Sequence, residues 1–131
     1  MKKAKLLLVG GLAAALGAGV LYAQAPGFKR IPVQDQDLSV PGRHGVQAKA
    51  EFEPGGVVGK HTHPGEEMGI VLEGQLLLEV AGQPARIVKA GEPIFIPPNT
   101  VHSAKNVAKG KTVVFSTYIV EKGKPVAIPV K

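Results

Sequence analysis

From Val46 onward, glycine, proline and asparagine break the chain every 8–12 residues, leaving runs such as VQAKAEF, EMGIVLEG, QLLLEVAG, EPIFIPP and KTVVFSTYIVEKG. Segments this short between breakers are poor helices, because a helix must offset a costly nucleus over several turns. Several of them alternate apolar and polar residues, the period of a strand with one buried face. Seven or eight strands of four to ten residues at this spacing predict an all-β fold, an antiparallel sandwich or a small barrel. Glu73-Gly74 reads as a hairpin turn between EMGIVLEG and QLLLEVAG. A chain of 131 residues supports one domain with one core. It contains no cysteine, so stability must come from that core, from oligomerisation or from a bound metal.

The first residues belong to a different regime. Met1-Lys2-Lys3-Ala4-Lys5 is a cationic start, and the apolar run Leu6 to Leu21 follows it and ends near the small residues of YAQA. This is the pattern of a secretory signal peptide, cleaved after Ala23 or Ala25. A run of sixteen residues falls short of the ~20 that span a bilayer, so no stable membrane insertion is expected after processing. The expected organisation is a signal peptide over 1–25, an N-terminal arm over 26–45 and a β-barrel domain over 46–131, in a periplasmic or secreted protein. Loss of 1–25 removes three lysines and no acids, so the net charge falls from +6 to +3. The remaining lysines form no cluster interleaved with aromatics, which excludes nucleic acid as an expected partner.

The chemistry concentrates in KHTHPGEEMG. His61 and His63 are two apart, so on an extended strand both imidazoles point to one face. Pro64-Gly65 bends the chain and lets Glu66 or Glu67 face back toward them, but not both, since neighbours on a strand point opposite ways. His102 opens another strand after FIPPNT. Imidazole and carboxylate without thiolate suit one divalent first-row ion, Fe, Mn, Ni, Cu or Zn. His44, in PGRHG, reads as a solvated loop side chain, and Phe95, Phe115 and Tyr118 read as core or cavity wall.

GGVVGKHTHPGEEMGIVLEG resembles the first cupin motif, G-x5-H-x-H-x3-E-x6-G, through Gly55, His61, His63, Glu67 and Gly74. GEPIFIPPNTVHSAKN resembles the second, G-x5-P-x-G-x2-H-x3-N, through Gly91, Pro97, His102 and Asn106. The one departure is Asn99 in place of glycine; asparagine is the next-best residue for a left-handed turn, so the turn before His102 is expected to persist. The short gap between the motifs is similar to that of small single-domain bacterial cupins of the quercetin-dioxygenase-like type. The resemblance implies a jelly-roll barrel and a metal held by His61, His63, Glu67 and His102, with Glu66 facing solvent. Asn106 and Glu73 are expected to be structural.

Such barrels host many activities, so fold alone does not give function. With no further acid or base evident beside the candidate ligands, the metal would carry the chemistry, and the resemblance implies a dioxygenase-like enzyme acting on a small chelating molecule of enol or phenol type. The alternative is a non-enzymatic periplasmic module that binds a metal or small ligand. A homodimer is a further expectation from the family.

Overall fold

The computed structural model describes residues 25–131, so the expected signal segment lies outside the described residues apart from Ala25. Ten strands are present: β1 (Phe28–Asp37), β2 (Arg43–Phe52), β3 (Val57–Thr62), β4 (Gly65–Glu73), β5 (Gln75–Val80), β6 (Arg86–Lys89), β7 (Pro93–Ile96), β8 (His102–Asn106), β9 (Thr112–Glu121) and β10 (Ile128–Pro129). They form two five-stranded sheets, ordered β1-β2-β9-β4-β7 and β10-β3-β8-β5-β6, with every pairing antiparallel. No described helix is long and apolar enough to cross a membrane.

The segment read as an arm is not separate from the barrel sheets. Residues 28–37 form the edge strand β1, and β2 begins at Arg43. Sequence alternation fails to reveal β1 because most of its residues are exposed and Pro32 interrupts it. Proline is tolerated at a sheet edge, and the register slips between Pro32 and Gln34, where a bulge absorbs the missing donor.

The hairpin expected at Glu73-Gly74 is absent. β4 and β5 lie in different sheets, so the chain crosses there from one layer to the other. Gly74 makes the corner possible, with φ of 76° and a backbone so close to β9 that a Cβ would overlap Thr112 Oγ1.

Inward residues of both sheets close a core around Phe28, Phe52, Val71, Leu76, Leu78, Val88, Ile96 and Val114. Two strands place their side chains against simple hydrophobic expectation. In β9 the inward set is Thr112, Val114, Ser116, Tyr118 and Val120, while Phe115 is only half-buried on the other face. In β4 the inward set includes Gly65, Glu67 and Val71, leaving Leu72 53% exposed and Met68 56% exposed opposite Phe95 on β7, itself 56% exposed. Of the three aromatics expected in the core or cavity wall, only Tyr118 is there.

Asn106 holds the end of the barrel away from the histidines. Its Nδ2 donates to the carbonyls of Phe52, Glu53 and Gly110, and its Oδ1 accepts from Ala108 N and Thr112 Oγ1. This is the structural role expected of it, and it ties the β2 end to the turn before β9.

Candidate metal centre

The opposite end of the interior gathers His61 from β3, His63 just beyond it, Glu67 from β4 and His102 from the first position of β8. All four are buried, and His63 is fully so. His61 and His102 are direct cross-strand partners in one sheet, whereas Glu67 pairs with Tyr118 and Ile96 in the other. The site therefore spans both layers. His63 lies outside β3 rather than within it, yet its ring reaches the same interior, 4.9 Å from the His61 ring and 4.9 Å from that of His102. The turn before His102 is kept as expected: Asn99 has φ of 56°, and its backbone N donates to His63 O at 2.9 Å.

Each imidazole is oriented by a backbone carbonyl. Nδ1 of His61 lies 2.8 Å from Gly59 O, Nδ1 of His63 2.5 Å from Val126 O, and Nδ1 of His102 2.9 Å from Thr100 O. A carbonyl only accepts, so each Nδ1 carries a proton, and a ring with that proton alone presents an Nε2 lone pair. Nε2 of His63 and of His102 are buried without a hydrogen-bond partner. The potential ligand atoms of the three rings lie within 4.8 Å of one another, so the three histidines could hold a metal ion. Orphaned lone pairs turned to one point, with tautomers locked from behind, are what a cation fits.

Glu67, not Glu66, faces the imidazoles. Its Oε2 is 3.0 Å from His63 Nε2 and 3.5 Å from His102 Nε2, and its Oε1 accepts from Ser116 Oγ at 2.7 Å. The two Nε2 contacts are close but misaligned for hydrogen bonding, as expected of groups that converge on a shared point. Burial pushes the Glu67 carboxyl pKa up, but in the metal-free site the His102 and His63 rings, once they carry a second proton at Nε2, and the Ser116 hydroxyl outweigh that and hold it below the usual carboxylate range. Burial, and next the neighbouring His102, lower the His61 pKa to about 3, against the bond to Gly59 O that favours the charged ring.

The His61 shift has a consequence for the metal-free protein. An unfolded histidine takes up a proton near pH 6.5 whereas folded His61 resists it, so the unfolded state binds more protons between those values and stability falls with pH. Stabilisation from this group is complete above pH 6.5 and is lost progressively toward pH 3. Urea unfolding of EDTA-treated protein is expected to lose on the order of 2–3 kcal/mol between pH 7 and pH 4.5. Stability that is unchanged across that interval would mean that His61 is not buried as a neutral ring.

A cavity of about 40 Å³ adjoins the site, lined by Leu76, Leu78, Ile96, Tyr118, His61 and His102 among others. In the same measure one water needs roughly 10–15 Å³, so the space suits a few waters or a small organic molecule. Burial, and next Glu67, push the Tyr118 hydroxyl pKa up, so it keeps its proton. Sequence reading did not find Ser116, the Val126 carbonyl or Arg30, which also lines the cavity. The only available signals were polar residues at inward positions of β9 and the alternation Phe28-x-Arg30, which has meaning only once β1 is known to be a strand. His44 lies in β2 rather than a loop, paired with Asp35 and Asp37.

Several known proteins are similar to this chain. Oxalate oxidase 2 of Hordeum vulgare is 38% identical over 69 residues, an alignment covering 47% of this chain and 31% of that protein. The chain thus spans about a third of the length of these curated relatives. An oxalate oxidase solved in complex with the substrate analogue glycolate superposes with a TM-score of 0.65 at 24% identity, covering 81% of this chain and 56% of that one. A conserved protein with a double-stranded β-helix domain from Klebsiella pneumoniae superposes with a TM-score of 0.65 at 17% identity, covering 83% and 88%. Residues 48–124 match the Cupin domain family, a span that takes in both histidine motifs and more than half of the sequence, and the chain belongs to that family.

Proposed function

We propose that this cupin is an exported, metal-dependent oxidoreductase of dioxygenase-like character, in which His61, His63, Glu67 and His102 hold one divalent first-row ion and the cavity beside them takes a small chelating molecule. The observation that carries the reading is the set of three imidazoles whose Nδ1 atoms are committed to backbone carbonyls and whose Nε2 atoms turn inward. The bound ion would supply Lewis acidity and a redox-active centre beside the substrate. The chain supplies the rest. Leu76, Leu78 and Ile96 exclude bulk water, Ser116 orients the Glu67 carboxylate, and Tyr118 offers a hydroxyl that keeps its proton. Relatives named as oxalate oxidases support a substrate that chelates through adjacent oxygens, as an enol beside a carbonyl or a catechol-type phenol also does.

Elemental analysis of protein recovered from its native compartment, followed by oxygen-electrode assays of metal-loaded protein against enols, catechols and small hydroxy acids, tests the proposal. The expected result is one ion per chain and oxygen uptake that requires both ion and substrate. Saturable ligand binding without oxygen consumption across Fe, Mn, Ni, Cu and Zn would sink the enzyme reading and leave a binding module.

A further inference from the structure

Arg30 is the one lysine or arginine among the residues lining the cavity beside the histidines. It enters from β1, opposite Ala50, on the same face as Phe28. Its guanidinium carbon sits 5.5 Å from the Phe28 ring centroid and 5.8 Å from that of Tyr118, within cation–π range of both rings. Nε is buried and has no hydrogen-bond partner. Among the described residues no carboxylate forms a salt bridge with it. A half-buried guanidinium whose inner nitrogen has no acceptor is left with unused donor capacity, and its fork of donors matches a carboxylate edge-on. Apart from Glu67, His61, His102 and Tyr118 of the histidine site, the remaining wall is apolar, so Arg30 is the one fixed cationic side chain that the lining offers to an anion.

We propose that Arg30 is the anchor for a substrate carboxylate, and that the cavity takes a small organic acid held by Arg30 at one end and presented to the histidine cluster at the other. The inference rests on the metal-site reading for the second half only. It narrows the substrate from chelators in general to those with a carboxylate, and the cavity volume limits the acid to a few carbons. Polycyclic phenols are excluded by size and lack the charge that Arg30 answers. Contact with the two rings favours one placement of the guanidinium before the ligand arrives, which lowers the ordering left to binding.

The test compares wild-type protein with Arg30→Gln and Arg30→Lys, each as the full processed chain, with metal content measured first and folding checked by circular dichroism. Calorimetry then measures oxalate and glycolate binding, with neutral ethylene glycol as control. Arg30→Gln is expected to keep the wild-type metal content while its affinity for both acids falls at least about tenfold, the loss of one charge-assisted contact. Arg30→Lys, which keeps the charge without the fork, is expected to fall between them and carries the test if Arg30→Gln does not fold. Unchanged acid affinity in Arg30→Gln, or in Arg30→Lys if that variant must stand alone, overturns the proposal, as does a wild type that binds neither acid with or without metal. Wild-type protein that holds no metal but binds acids in an Arg30-dependent way would support the anchor and overturn the metal reading.

Discussion

Protein carrying His63→Ala is expected to retain less than about a tenth of the wild-type metal, with affinity lowered more than about 100-fold, beyond the 10–100-fold typical of losing only a supporting partner of a ligand. His63 is the most deeply buried of the three imidazoles, and its Nε2 faces both the other rings and Glu67. Alanine removes that nitrogen and leaves the Val126 carbonyl without its donor. Glu67→Gln, which keeps shape but removes charge, is expected to weaken binding about tenfold or more, whereas Glu66→Gln should leave it within about twofold, because Glu66 lies opposite Ile119 on the outer side of the sheet. Metal bound only by folded protein raises its stability by mass action, about 3–4 kcal/mol at several hundred times the dissociation constant. Plasma emission spectrometry and thermal melts with and without EDTA read both effects. His63→Ala that still carries one ion per chain, or equal losses at Glu66 and Glu67, would refute the assigned ligand set.

A second large effect is expected at Gly65. Its backbone runs so close to β9 that an added Cβ would overlap the Ile119 carbonyl oxygen and lie 2.7 Å from Val120 Cα. Both obstacles are backbone, so no side chain can swing away. β4 must separate from β9 at the point where it is in register with Val120, two residues before Glu67. Gly65→Ala should therefore cost about 3 kcal/mol or more and lower the melting temperature by roughly 12 °C or more. It should also weaken metal binding, since Glu67 is held by Ser116 across the same strand pair. Gly110→Ala, where an added Cβ meets nothing within 4 Å, is the control and should stay within about 0.5 kcal/mol. A Gly65→Ala melt within a degree or two of wild type would show that the two strands are not so tightly apposed.

Gly65 also illustrates what the amino-acid sequence conveys and what it conceals. Read along the chain, Pro64-Gly65 is a bend; in the structure Gly65 already belongs to β4, and the need for glycine is steric approach by a strand more than fifty residues away. The all-β class, Asn99 as a left-handed turn and the gathering of His61, His63 and His102 were legible because each depends on spacing within a few residues or on a motif. Strand direction was legible in β5, where Leu76, Leu78 and Val80 alternate inward, and misleading in β9, where hydrophobicity favours Phe115 facing in while Ser116 and Tyr118 actually do. Polar residues take inward places there because Glu67 and the cavity need them. Arg30 stayed hidden for a related reason: a lone arginine in a segment rich in polar residues carries no sign of the sheet that turns it inward.

The stretch around β10 acquires a meaning from one hydrogen bond. His63 is oriented by the carbonyl of Val126, and just beyond it Ile128 and Pro129 pair with Thr62 and His61, while Val130 N donates to Lys60 O. The segment from Val126 to Val130 is thus a clasp behind two imidazoles. Deleting Val126–Val130 would take away the carbonyl that orients His63 and the strand pairing beside His61, so both rings would be freer to turn while the strands that carry the core stay paired.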